Sequence, residues 1–335
     1  MKRMKIACLL GAGFSSRGGL PLVNGLFDVD LRLVANWQVR HFSRVIEHYT
    51  RWKQANPTRN VENYLEFLYQ NASLASSAPP FVYAAQLIAA VLSQPVSERD
   101  TRVNPRYGNR ITTPSHVTEH EAFFRTIFKY SDMVSVLTTN YDLLIERCLR
   151  HKPMKRVFGV GFMYGGLGRP QVLKGTAQPF RETQDRQRTI ELAGNTSLFK
   201  LHGSLNWAAD NLGNLRLFQD PRSAFNKTYQ VAIIPPVQNK AMPVWLGSIW
   251  QEAEIALSQA DVWVICGYSL PDYDVNIAKL LRCGAEKVSH IFLLDPNGEE
   301  LSSKFQAIAP FAQVVSLSGL PSGLDELEPR LGKIA

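Results

Sequence analysis

The sequence predicts an α/β protein: a doubly wound, Rossmann-like parallel sheet with a helical insertion. Three observations predict it. Short apolar runs recur along the chain, and two of them, Lys5–Leu10 and Val262–Cys266, pass directly into glycine turns. From residue 262 onward strand-like and helix-like segments alternate, the pattern of a parallel sheet. Finally, four polar signatures each follow or end an apolar run: Gly11-Ala12-Gly13-Phe14-Ser15, Leu137-Thr138-Thr139-Asn140-Tyr141-Asp142, Lys200-Leu201-His202-Gly203-Ser204 and Gly267-Tyr268-Ser269-Leu270-Pro271-Asp272. In a parallel sheet such junctions gather at the carboxyl edge, where ligands bind, so one composite nucleotide site is expected.

Taken in order, Lys5–Leu10 is a buried strand. Residues 22–130 form a mostly helical insertion. Within it Val45, Ile46 and Tyr49 recur near helical spacing, and Pro79-Pro80 separates one helix from the next, Phe81–Leu92. Ser93–Ser115 is polar and rich in arginine and proline, hence a loop. His120–Tyr130 reads as a helix, Met133–Leu137 as a strand and Tyr141–Arg150 as a helix. Residues 152–195 form a long irregular loop, a length that is usually functional. Leu198–Leu201 is a short strand, Leu215–Phe218 and Val231–Ile234 a possible β pair, and Val244–Gln259 an amphipathic helix. The closing alternation runs strand Val262–Cys266, helix Tyr273–Arg282, strand Val288–Leu294, helix Gly298–Ile308, strand Ala312–Ser316 and helix Leu324–Leu331. All 335 residues are read as one domain.

Composition narrows the class. The chain is 45% hydrophobic and 20% charged with a net charge of +8, which suits an acidic ligand such as a dinucleotide. No stretch approaches the roughly 18 apolar residues of a membrane span. The basic N-terminus leads straight into the first strand and is not a signal peptide. The four cysteines, Cys8, Cys148, Cys266 and Cys283, form no C-x-x-C pair, so neither a zinc ribbon nor a disulfide framework is expected. A reducing, cytoplasmic location follows as an expectation.

Each signature has a chemical and a structural reading. Gly11-Ala12-Gly13 lets the backbone approach a pyrophosphate, or simply makes a tight strand–helix turn; the third glycine of a dinucleotide fingerprint is replaced by Ser16. Asp28 and Asp30 lie near the spacing of a ribose-binding acid but fall in a helical stretch. Asn140 can hold a ribose hydroxyl or a water, or cap the helix after it, with Asp142 favouring the positive helix end. His202 at a strand end can act as a base near neutral pH, or be satisfied by local backbone. Ser269 can contact phosphate or ribose, while Asp272 and Asp274 suit helix capping. Asp295 or Asn297, in the turn Asp295-Pro296-Asn297-Gly298, can meet an adenosine ribose.

Together these segments resemble the sirtuin (SIR2) superfamily, and more closely its bacterial SIR2-like branch. The likeness runs from Gly11 to about Asn297 in the family's order, with Gly19-Leu20-Pro21 resembling the G-L-P of that branch. The four-cysteine zinc module of sirtuin deacylases is missing, and Arg17-Gly18-Gly19-Leu20-Pro21 replaces their G-I-P-D-F-R segment. The resemblance therefore implies NAD+ hydrolysis, with NAD+ as substrate, no metal, and a role as a NAD+-depleting effector of anti-phage defence. It implies Asn140 and His202 as catalytic residues. It places Gly11, Ala12, Gly13 and Ser15 on the pyrophosphate, Asp142 at the nicotinamide ribose, Gly267 in the late NAD-binding turn, and Ser269 and Asn297 on the adenosine half. Control is expected through homo-oligomer assembly or a partner such as a HerA-like ATPase or an Argonaute-type protein, with nucleic acid contacted only indirectly. Three alternatives stay open. They are a protein deacylase, a non-catalytic NAD or ADP-ribose binding subunit, and nucleic-acid binding through the loops Arg99–Arg110 and Arg181–Arg188. The insertion's Trp37, Trp52, Tyr64, Phe67 and Tyr69 either pack its own core or cover the site and join subunits.

Overall fold

A computed structural model describes residues 4–22, 25–28, 31–33, 36–71, 79–93, 114–131, 133–150, 162–167, 178–179, 196–209, 215–218, 230–234, 243–272 and 274–335. Strand β1 (Lys5–Leu10) is the centre of a seven-stranded parallel sheet. On one side lie β2 (Met133–Thr138), β5 (Thr196–Lys200) and the short edge strand β3 (Met163–Tyr164). On the other lie β9 (Val262–Cys266), β10 (His290–Leu294) and β11 (Gln313–Leu317). In register, Ile6 stands opposite both Val134 and Val262. Helices cover both faces, so the central strands read as unbroken apolar runs and not as alternating ones. All five residues of β9 are buried.

Two sets of helices sandwich this sheet. Helix α5 (Pro114–Tyr130) packs against α6 (Leu144–Arg150) and α10 (Gly323–Ile334). Helix α7 (Val244–Gln259) crosses β1, β2 and β5 and packs on α8 (Val275–Gly284), which touches α9 (Gly298–Ile308). The crossovers after β9 and β10 step away from β1 in one direction and the β1–β2 crossover in the other. Right-handed crossovers therefore put their helices on opposite faces. The expected doubly wound sheet is present. Its switch point, between β1 and β9, is the crevice where such sheets bind ligands.

A second layer stands beside the carboxyl edge. Short α1 (Ala12–Ser16) sends Phe14 into the main core; the layer contains the helices α2 (Asn36–Ala55), α3 (Val61–Gln70) and α4 (Phe81–Ser93). These share a hydrophobic core with Leu205, Val231 and Ile233 of a small antiparallel sheet. That sheet is ordered β4 (Gln178–Pro179), β7 (Leu215–Leu217), β6 (Gly203–Ala209), β8 (Gln230–Ile233). Within the helical layer Trp52, Tyr64 and Phe67 join Phe27 and Tyr49 in a ring cluster; Tyr64 is fully buried and its centroid lies 5.0 Å from that of Tyr49. These aromatics pack the layer's own core. Helix α5 belongs instead to the main core through Phe123, Phe124 and Ile127.

Several expected boundaries move. The helix expected from His120 begins at Pro114, a residue suited to a first helical turn. The helix expected from Tyr141 begins only at Leu144, and the one expected from Tyr273 begins at Val275. Leu215–Phe218 and Val231–Ile234 do not pair with each other: β6 lies between them and pairs with both. Residues 152–195, expected to be irregular, contain β3 and β4 among their described residues. The arginine-rich loops Arg99–Arg110 and Arg181–Arg188, Asp30 and the Trp37 side chain lie outside the described residues.

Candidate functional site

The floor of the site is a junction of two glycine turns. The Gly11 N–H donates to the Cys266 carbonyl at 3.1 Å and the Gly13 N–H to the Gly267 carbonyl at 2.9 Å. Gly267 has φ +62°, and a Cβ there would sit 2.2 Å from the Phe14 nitrogen. Only glycine meets both demands: a left-handed backbone and contact with a second backbone.

Asn140 hangs over this floor. The Thr138 hydroxyl donates to the Leu10 carbonyl at 2.7 Å and accepts the Asn140 N–H at 3.0 Å, which turns the chain inward at the end of β2. The Asn140 side-chain NH2 then donates to the Gly11 carbonyl at 2.7 Å and to Ser15 Oγ at 2.8 Å. Both amide hydrogens are used, so Oδ1 is what the side chain can offer a ligand. Asn140 is therefore not a helix cap. The turn into α6 is made by Asp142, whose Oδ1 accepts the Leu144 N–H at 2.9 Å.

Beneath this loop lies a fully buried cation. Lys200, the last residue of β5, donates to the Asp142 carbonyl and stands 3.5 Å from Glu146 Oε1. The Tyr164 hydroxyl donates to the same carboxylate oxygen at 3.1 Å. Lysine is almost never wholly buried without such partners. Here its hydrogen bond ties the Asn140–Asp142 loop to the strand that carries His202.

His202 follows at the β5–β6 turn and is itself buried. Its carbonyl accepts the Ile234 N–H at 2.8 Å, and the Leu201 N–H donates to Thr138 at 2.9 Å. Gly203 makes the sharp exit with φ +84°, where a Cβ would lie 2.0 Å from the Ala232 oxygen. The imidazole Nε2 comes to 3.9 Å from Asp274 Oδ1. Asp274 occupies the N-cap position of α8 without a side-chain capping bond; its Oδ2 accepts the Tyr268 hydroxyl at 2.6 Å.

These groups open on a cavity of about 700 Å³, within the size range of small-molecule sites. Of the residues expected from sequence, Ala12, Gly13, Ser15, Asn140, Asp142, His202, Gly267, Ser269 and Asn297 all line it. Gly11 sits behind the wall and presents its carbonyl to Asn140. The far end carries Asp295, whose Oδ1 accepts the Asn297 N–H at 2.9 Å, and Lys304, which reaches the Leu270 carbonyl at 3.4 Å and Asp272 at 3.5 Å. Leu270 itself holds a left-handed φ of +47°, an uncommon backbone for a leucine that belongs with strained site turns. The roof comes from the helical layer through Leu20, Leu22, Leu26, Leu92 and Glu62. Sequence reasoning missed Lys200, Glu62 and Lys304, and took Asp274 for a cap. The lysine in Lys200-Leu201-His202 was a usable signal, since a charge ending a buried strand needs a partner. Burial pushes the thiols of Cys8, Cys148 and Cys266 upward, so they stay protonated and inert. Among the described residues no group of three or more His, Cys, Asp or Glu side chains gathers as a metal site, and no helix is long and apolar enough to cross a membrane.

The model of the SIR2-like domain matches residues 134–308, just over half of the chain, from β2 through α9. The chain belongs to the SIR2-like family. The matched span carries Asn140, Asp142, His202, Gly267, Ser269 and Asn297. Among solved structures the SIR2-like chain is similar to a Sir2 homologue mutant complexed with 2'-O-acetyl ADP ribose. That match has 14% identity and a TM-score of 0.43, covering 99% of this chain and 94% of that one. It is also similar to a Sir2 homologue–NAD complex, at 15% identity and a TM-score of 0.41, covering 99% of this chain and 91% of that one. No curated protein matches.

Proposed function

We propose that the protein is an NAD+ glycohydrolase that cleaves the bond between nicotinamide and ribose. The observation that carries the reading is the convergence of Asn140 and His202 on one cavity above the Gly11–Gly13–Gly267 junction. Supporting it is the SIR2-like family membership.

In this reading the pyrophosphate lies on the glycine floor beside Gly11, Ala12, Gly13 and Ser15, with Gly267 completing the turn. The adenosine half lies toward Ser269 and Asn297. Nicotinamide is already cationic and leaves without a proton donor. What the reaction needs is support for an oxocarbenium-like transition state and a placed water. Asn140 Oδ1, fixed by the two bonds of its amide nitrogen, orients the ribose and the attacking water. Asp142 contributes its charge at the same end. His202 takes the proton released when that water adds to the ribose carbon, giving ADP-ribose, nicotinamide and one proton.

The wider role follows from the same reading: a NAD+-depleting effector of anti-phage defence, restrained until it assembles with itself or with a partner such as a HerA-like ATPase or an Argonaute-type protein. The test is nicotinamide release by the purified protein, alone and with a co-encoded partner. His202→Ala and Asn140→Ala are each expected to lower turnover by roughly 100-fold or more, with NAD+ affinity by calorimetry little weakened for Asn140→Ala. Wild-type turnover in either variant overturns the assignment.

A further inference from the structure

We propose that Asp274 is a positioning residue for His202: a carboxylate held by Tyr268 that fixes the imidazole and stabilises it once it is protonated. The chemical consequence rests on the hydrolase reading; the pair itself rests on geometry alone.

Asp274 stands where an aspartate would ordinarily bond the first N–H groups of a helix. Its side chain makes no such bond to α8. It turns into the cavity, where Oδ2 accepts the Tyr268 hydroxyl at 2.6 Å and Oδ1 lies 3.9 Å from His202 Nε2. Both partners are secluded, with side-chain exposures of 8% for His202 and 16% for Asp274. Low exposure keeps such a pair from being screened as surface pairs are. Tyr268 is a fixed support. It is buried, and its backbone packs so close to Gly11 that a Cβ on that glycine would approach Tyr268 Cα at 2.8 Å. The line Tyr268–Asp274–His202 thus joins the turn after β9, the start of α8 and the end of β5.

The other charged groups of the cavity are differently engaged. Asp142 is bonded to the Leu144 N–H and Asp295 to the Asn297 N–H. Asp272 is 98% exposed beside Lys304, and Glu62 takes a bond from the Asn60 amide at 3.5 Å. Glu300 and Lys304 lie on α9 at the far end, and the Tyr141 ring centroid is 6.4 Å from that of His202. When His202 takes a proton from the attacking water, the imidazolium forms beside the Asp274 carboxylate. After the products leave, the proton passes to solvent. Catalytic hydrogen bonds are often long in ligand-free enzymes and tighten on binding, so 3.9 Å is a fitting resting distance.

The experiment follows the His202 ring signal by NMR across pH in full-length, histidine-labelled protein, with His202→Gln identifying the resonance. Nicotinamide release is measured in parallel. Asp274→Asn keeps the shape and removes the charge. Its ring midpoint is expected to fall by about one pH unit or more, because the imidazolium loses its carboxylate. Its kcat is expected to fall about 10- to 100-fold, with KM little changed. Asp274→Glu, which keeps the charge and loses the shape, is expected to hold the midpoint near that of wild type. A merely structural role would give the reverse order. Asp274→Ser keeps a helix-capping side chain and replaces the amide variant where that one does not fold; the same fall is expected. An unchanged midpoint in the charge-free variant overturns the pairing. A wild-type protein that releases no nicotinamide defeats the hydrolase reading, while the ring titration still decides the pair.

Discussion

Replacing Lys200 by methionine tests whether the buried cation holds the site together. Lys200 has no exposed side-chain surface and Glu146 has 4%, and their charges are 3.5 Å apart. At an effective dielectric near 20 their attraction is about 5 kcal/mol before desolvation is set against it. The net worth of the pair is far smaller, but removing one partner strands the other. Breaking a buried pair in this way costs about 3–5 kcal/mol, a large share of a domain's stability. Lys200→Met leaves the Glu146 carboxyl in the core without its cation, with the Tyr164 hydroxyl as its hydrogen-bond donor, and it also frees the Asp142 carbonyl. Two effects should appear together: a drop in unfolding free energy of about 3 kcal/mol or more, and a loss of turnover as the Asn140 loop loses its tether. The assay is urea unfolding followed by circular dichroism, beside nicotinamide release. Adding Glu146→Gln to Lys200→Met removes the stranded charge and should restore at least about 1 kcal/mol. A single variant that unfolds within about 1 kcal/mol of wild type, or a double variant no more stable than the single one, refutes the reasoning.

Two more perturbations address the floor and the thiols. Gly267→Ala forces a Cβ to within 2.2 Å of the Phe14 nitrogen at a left-handed φ, so it should cost about 2 kcal/mol or more and abolish NAD+ binding by calorimetry; normal affinity would remove the glycine junction from the site. Cys8, Cys148 and Cys266 are buried and held protonated, whereas Cys283 is exposed. A thiol reagent should therefore label Cys283 alone in the native protein, read by mass spectrometry, and rapid native labelling of Cys8 or Cys266 would contradict the described core.

The strands were legible where burial on both faces leaves no choice of residue. Lys5–Leu10 and Val262–Cys266 are apolar runs, and their observed bounds are those expected. Helix Val244–Gln259 was equally plain from its amphipathic pattern, and Gly298–Ile308 from its place in the strand–helix alternation. Errors fall where side chains serve the site and not the local chain. Asn140 has the chemistry of a helix cap, yet its amide crosses to Gly11 and Ser15, residues more than a hundred positions away in sequence, so α6 starts late. Asp274 departs from capping in the same way. The strand Gly203–Ala209 was hidden because its start, Gly203-Ser204, read as the end of a polar site signature. The alternation of Ser204 and Asn206 with Leu205 and Trp207 was the strand signal that went unused. Lys200 was legible only as a charge ending a buried strand that needs a partner; that the partner is Glu146 was not, since nothing local points to a carboxylate on another element.

The glycine junction has a consequence for how the protein is made. Its two halves, Gly11–Gly13 and Gly267, are separated by most of the polypeptide, yet each occupies the space a side chain on the other would need. A ribosome that has released everything through β8 has already delivered Asn140 and His202, but the ledge for the dinucleotide is still missing, because β9 has not taken its place beside β1. The half-made chain therefore has its chemical groups and no seat for the substrate. On the proposed hydrolase reading, the order of synthesis itself withholds the reaction until β9 and the turn after it are in place.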